Sequence, residues 1–342
     1  MKTLLYANNP NIALPSLATE CCADLTRQYF KLEQYDADYI YDPADTLVMI
    51  PYFNADEWAF DLHAQGFQVA VDNLWEPTSR YLASPGYHRL DPDRTHQIHS
   101  NSWFWYYESL RFSYYRARDK ISKYTPCRTY KKLALMPMRL ERLHRDWLFD
   151  TMAPWFDDFY YSYQAKGISL PWDISYEDPA AQRYYDARWY DDTWFSIVAE
   201  SYVDEYNITT WGTNRTPYLG PWPFITEKTF KPIALQHPFM ILGHSGTLDR
   251  LHDLGFETFP EMFDESYDHT AHTKLAANRK EIDKLTILKN NVAQFDRSAQ
   301  GYSAVTQEKI THNYQLFSDA DKVKSGFYHD IIEPLLAYAE ST

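Results

Sequence analysis

Short, wholly apolar runs alternate with polar or helical segments along this chain, and that alternation restricts the fold more than any other feature. Residues 2–6, 46–51 and 67–71 read as buried strands, with helical or polar stretches such as 54–66 between them. A second series starts at Lys132, with LALMPM as strand, residues 142–152 as helix and 158–163 (DFYYSY) as the next strand. Residues 195–199 and 239–242 supply two more strands. Strands separated by helices predict a parallel sheet with crossover helices. Two such series predict an α/β chain of two Rossmann-like domains, divided near residues 125–130. The first domain is expected over 1–127 and the second over 128–342. Residues 102–123 lack Gly and Pro and read as one long aromatic helix, while 273–291, 306–317 and 326–339 carry apolar residues at helical spacing.

Composition narrows the classes. At 342 residues there is length for two cores, and 17% aromatic with 45% hydrophobic residues describes a folded protein. None of the 10 glycines falls in a dinucleotide or P-loop fingerprint. No run approaches the ~20 apolar residues of a membrane span. The opening MKTLLYANNPNIALPSLA is interrupted by Asn8, Asn9 and Pro10, unlike a signal peptide, so a cytoplasmic protein is expected. Cys21, Cys22 and Cys127 form neither a disulfide framework nor a zinc spacing, and the sequons at Asn207 and Asn214 then read as loop residues. A formal charge of −14 opposes general attraction to nucleic acid or anionic membrane.

The stretch at 224–243, FITEKTFKPIALQHPFMILG, concentrates the chemistry. Thr226-Glu227-Lys228 opens an amphipathic segment that turns at His237-Pro238 into a buried strand ending at Gly243. A helix start offers free N–H groups and partial positive charge to phosphate. Lys228 adds a full charge, and Glu227 can accept from sugar hydroxyls. Alternatively, the same residues make a capped surface helix with a solvated ion pair. Pro232 would break such a helix, so either it starts late, near Lys231, or its first turn is separate.

Taken with the apolar strand at 195–199 that ends in Glu200-Ser201, this order resembles the donor-binding signature of two-domain glycosyltransferases of the GT-B architecture. The likeness is greatest to fucosyltransferase-like families, whose signature runs from a strand ending in Glu-Asn or Glu-Ser to a Thr/Ser-Glu-Lys helix and a Gly-ended strand. It continues through 251–268, covers about the last third of the chain, and hardly touches the first third. The resemblance implies a nucleotide-diphosphate sugar donor, with Glu227 on the ribose, Lys228 on the diphosphate and Glu200 on ribose or base. It also implies inversion at the anomeric carbon and transfer of a hexose or deoxyhexose to a glycan hydroxyl.

Other candidates follow from position. The turn after the strand at 133–136 holds Arg139, Arg142, His144 and Arg145, and Arg139 or Arg145 is expected to neutralise the diphosphate; a solvated face paired with Glu141 and Asp146 is the alternative. Tyr202 is placed to stack on a base. An acceptor base is sought in the turn after the strand at 67–71, at Asp72 or Glu76, with Glu108 an outsider.

Asp36/Asp38 and Asp91/Asp93 match a metal-binding Asp-x-Asp pattern that is common by chance, and His96 with His99 lacks a third ligand, so no catalytic metal is expected. Glu257 and Glu265 have the spacing of a retaining-enzyme pair but lie past the Gly243 strand. Basic residues interleave with aromatics over 103–132, which keeps open a transferase acting on hydroxymethylated DNA bases. A non-catalytic carbohydrate binder is a further reading, given 11 Trp and 29 Tyr.

Overall fold

A computed structural model describes residues 2–6, 20–34, 45–51, 62, 65, 67–72, 95–98, 102–117, 126–170, 187–201, 203, 223–269 and 283–341. It confirms an α/β chain built on two parallel sheets. The chain divides into two compact units, one of residues 1–111 with 320–342, the other of 112–319. Sequence placed the division near 127 and gave the C-terminal helices to the second domain. In the structure residues 320–342 belong with the first unit instead.

The first unit holds β1 (Thr3–Tyr6), α1 (Glu20–Thr26), β2 (Lys31–Gln34), β3 (Thr46–Pro51), β4 (Gln68–Asp72) and β5 (Thr95–Ile98). These strands form an all-parallel sheet in the order β2-β1-β3-β4-β5. The inner strands are the apolar runs of the sequence. The strands not foreseen are the two edges, β2 (KLEQ) and β5 (THQI), whose polar side chains give no apolar signal. Helix α2 (Trp103–Ala117) buries Trp103, Phe104, Trp105, Tyr106 and Tyr107, and also Glu108 and Arg111, whose side chains pair at 3.4 Å. The chain closes this unit with α9 (Ala320–Phe327), a π-helical turn (Tyr328–Ile332) and α10 (Glu333–Glu340). Tyr338 accepts from Gln68 of β4 at 3.0 Å through its carbonyl, which ties the last helix to the sheet.

The second unit begins with β6 (Lys132–Met138), α3 (Leu143–Met152) and β7 (Phe159–Tyr163). It continues through α4 (Ala187–Asp191), β8 (Thr193–Ala199), α5 (Glu227–Ala234), β9 (Phe239–Leu242), α6 (Thr247–Asp253), α7 (Asp283–Gln294) and α8 (Ala304–Ser318). Its parallel sheet runs β7-β6-β8-β9, and every residue of β8 is buried, as expected for a parallel strand covered on both faces. Side chains alternate accordingly: Phe195 meets Phe263 and Phe295, while Ser196 bonds His237 at 2.9 Å. The strand order reverses between β6 and β8. In open α/β sheets ligands bind at such reversals, beyond the carboxyl ends of the strands.

Candidate functional site

Glu200 follows β8 at that reversal and is fully buried. Its carboxylate accepts from Thr226 N at 3.0 Å, Thr226 Oγ1 at 2.5 Å, Thr229 Oγ1 at 2.7 Å and Ser201 N at 3.2 Å. Four donors account for the lone pairs of a carboxylate. The sequence assigned Glu200 to ribose or base. The structure gives it a different task, organising the start of α5 from the protein side.

That start is therefore not an open anion site. Thr226 N donates to Glu200, Lys228 N to Thr226 Oγ1 at 3.4 Å, and Thr229 N to Thr226 O at 3.1 Å. The helix starts at Glu227 and runs through Pro232, neither starting late nor splitting its first turn. Both its ends are pinned, which offsets the hydrogen bond that proline removes. Glu200 and Thr226 hold the first turn. At the far end Gln236 takes a left-handed conformation (φ 55°), and the Arg128 guanidinium donates to the carbonyls of Leu235 and Gln236.

Lys228 is about one-quarter exposed, and its ammonium donates to Ser201 Oγ (3.1 Å), Thr226 Oγ1 (2.9 Å) and Glu227 Oε1 (3.0 Å). Glu227 is comparably exposed. Burial pushes its carboxyl up, but Lys228 and Lys231 outweigh that and hold it at about 2, so it is ionised at neutral pH. Beside these residues lies a small, partly open pocket with a volume of ≈ 20 Å³. Pro137 of β6, Val198 and Ala199 of β8, and Lys228, Lys231 and Pro232 of α5 line it, with Tyr190 and Ser196 completing the wall. Lys231, Pro137 and Tyr190 were not singled out in the sequence. The spacing of Lys231, three residues from Lys228, was the available signal, since residues i and i+3 share a helix face.

The two arginine candidates part ways. Arg139 is exposed just past the end of β6. Arg145 is buried and donates to the carbonyls of Leu140 (3.0 Å), Ala199 (3.3 Å) and Glu200 (3.2 Å). Burial and nearby Arg142 pull its guanidinium down to about 10 against Glu200 and Glu227, still charged at neutral pH. Its Nη1 and Nη2 are held by these carbonyls, so it braces the reversal where the sequence offered a diphosphate clamp. His144 joins it, Nε2 donating to Glu200 O at 2.9 Å; burial, then Arg145, press this imidazole well below the usual histidine range.

Further candidates fall elsewhere. Asp72 is the last residue of β4, at the carboxyl end of the first sheet. Glu76 and Tyr202 lie outside the described residues, as do Asp36, Asp38, Asp91, Asp93 and His99. Glu108 is buried against Arg111. Glu265 accepts from Thr258 Oγ1 (2.8 Å) and Phe259 N (2.7 Å), so it holds a turn.

Among the described residues, Asp249, Asp268 and His269 come close enough to share a cation, though Asp268 already accepts from Thr247 N and Leu248 N. In the basic segment, Arg111 pairs with Glu108, Arg128 caps α5, Lys131 bonds Asp192 and Lys132 bonds Asp157 O. No helix among the described residues is long and apolar enough to cross a membrane.

The chain matches no model of a known protein family and no curated protein.

Proposed function

We propose that the chain is a glycosyltransferase drawing its sugar from a nucleotide-diphosphate donor bound in the unit of residues 112–319. The observation that carries this reading is Lys228, whose ammonium is fixed by Ser201, Thr226 and Glu227 beside a pocket where the strand order reverses. Displacing a sugar from a diphosphate requires positive charge on the leaving phosphates. Lys228 supplies it, and exposed Arg139 is the remaining arginine candidate. Glu227, ionised beside Lys228, accepts from ribose hydroxyls. Glu200 and Arg145 act behind them, as supports of the helix start and the strand ends.

Asp72 is the candidate for taking the acceptor proton, with Glu76 as its rival. Transfer to a glycan hydroxyl, inversion, independence of metal and a cytoplasmic setting complete the proposal. A DNA acceptor is the weaker reading, because the described basic side chains of 111–132 are engaged with protein partners. Steep loss of acceptor binding with salt would favour it.

Calorimetry with the nucleoside diphosphates of adenine, guanine, cytosine and uracil tests the reading. At least one is expected to bind, and Lys228→Ala to weaken it. A protein with no affinity for any of the four is not this enzyme, and a carbohydrate binder would then be the better description.

A further inference from the structure

The ammonium of Lys228 has three hydrogens, and all are engaged: with Ser201 Oγ at 3.1 Å, Thr226 Oγ1 at 2.9 Å and Glu227 Oε1 at 3.0 Å. A phosphate gains a hydrogen bond from it only by displacing one of these acceptors. Two of them are fixed from behind. The Thr226 hydroxyl and the Ser201 amide both donate to the buried Glu200 carboxylate, so Glu200, Ser201, Lys228 and Thr226 form a closed ring. The third is not fixed. Glu227 is the partly exposed first residue of α5, and among the described residues its carboxylate hydrogen-bonds no other side chain. It is ionised at neutral pH, so it competes for Lys228 against any incoming anion.

We infer that Glu227 is a displaceable counter-ion, which holds the phosphate position on Lys228 until a nucleotide draws it onto the ribose. This rests on the donor reading above and deepens it. An anion alone has to separate the ion pair and leave the Glu227 carboxylate facing its own negative charge. A nucleoside diphosphate offers hydroxyl donors to that carboxylate while its phosphate takes the vacated ammonium hydrogen. Both side chains then keep their count of hydrogen bonds. The pair therefore selects against inorganic phosphates, and the ribose and phosphate contacts reinforce each other. The ligand does not have to enter the narrow pocket alongside, since both charged groups also meet solvent.

The test is calorimetry at fixed ionic strength with inorganic pyrophosphate and with the nucleoside diphosphates of adenine, guanine, cytosine and uracil. The proteins are wild type, Glu227→Gln, Glu227→Asp, Lys228→Ala and the double variant Glu227→Gln/Lys228→Ala. Circular dichroism establishes that each is folded. Glu227→Gln is expected to tighten pyrophosphate about fivefold, the upper range for a part-exposed ion pair, and to weaken the nucleoside diphosphate that wild type binds. Glu227→Asp keeps the charge but shortens the arm by one methylene, so it too should tighten pyrophosphate. On the Lys228→Ala background Glu227→Gln should bring no gain. Unchanged pyrophosphate affinity in Glu227→Gln would overturn the counter-ion role. So would a gain that persists without Lys228 or is missing from Glu227→Asp, because either marks a general charge effect. In each of these cases a nucleoside diphosphate that binds wild type leaves the donor reading standing. Lys228-dependent tightening of pyrophosphate, with no nucleoside diphosphate bound by any of the proteins, would uphold the counter-ion and remove the donor reading. Absence of binding by every ligand to every protein overturns both.

Discussion

The carboxylate of Glu200, one residue past β8, lies 2.7 Å from the hydroxyl of Thr229 inside the first turn of α5. A strand end and a helix start are thereby joined through a buried charge whose compensation comes from hydroxyl and amide donors. Such a charge is tolerated in the interior only while those donors remain.

Removing Glu200 should therefore unfold the unit before it alters any ligand affinity. Glu200→Ala leaves the Thr226 amide and two buried hydroxyls without their acceptor, at a cost of about 3 kcal/mol. Glu200→Gln keeps the shape but not the charge and should cost about 1–2 kcal/mol. Urea unfolding midpoints measure both; a neutral result for Glu200→Ala would contradict the bracing role.

Arg145 makes a related prediction. Arg145→Lys keeps the charge but cannot span the carbonyls of Leu140, Ala199 and Glu200, so stability should fall by about 2 kcal/mol. Nucleoside diphosphate affinity of the folded variant should change little. A large loss of affinity with unchanged stability would favour the diphosphate role that the sequence offered for Arg145.

Stability should fall on mild acidification. His144 and His237 are pressed well below the usual histidine range, chiefly by burial, and burial followed by Lys284 brings His244 to about 4. Below 6.5 the unfolded chain binds the more protons, so this stability is fully present above 6.5 and is lost progressively toward 4. His244 alone contributes about 3 kcal/mol over that interval. Glu265 and Asp268, raised by burial, oppose the trend, whereas Glu227, held at about 2, adds its loss only below 4.5. A lower urea midpoint at pH 5 than at pH 7.5 is expected. His144→Gln, whose amide can still donate to Glu200 O, should reduce the difference.

In the first unit the ring of Tyr106 rests on Gly326. A Cβ at Gly326 would lie 2.4 Å from the Tyr106 hydroxyl oxygen and 2.6 Å from its ring. Tyr106 is also held by its hydrogen bond to Asp330 at 2.8 Å, so it cannot easily withdraw. Gly326→Ala should cost about 1–3 kcal/mol by overpacking. Combination with Tyr106→Leu should recover part of that loss in a thermal-unfolding cycle; strict additivity would argue against the contact.

The inner strands were legible because burial on both sheet faces demands continuous apolar runs, and residues 46–51 and 239–242 coincide with β3 and β9. The edge strands β2 and β5 were not, since a strand with one free side carries polar residues that resemble loop. The division of the chain was also hidden: sequence order does not reveal that residues 320–342 return to the first unit.

At the candidate site, sequence alone determined that Glu200, Glu227 and Lys228 stand near strand ends and a helix start. Tertiary structure decided which are held inward by protein partners and which line the pocket. Glu200 and Arg145 turn inward because the reversal between β6 and β8 leaves strand-end carbonyls and helix amides that need partners. What faces the pocket is then left to Lys228 and to Lys231, whose part depends on helical geometry that a linear reading does not weigh.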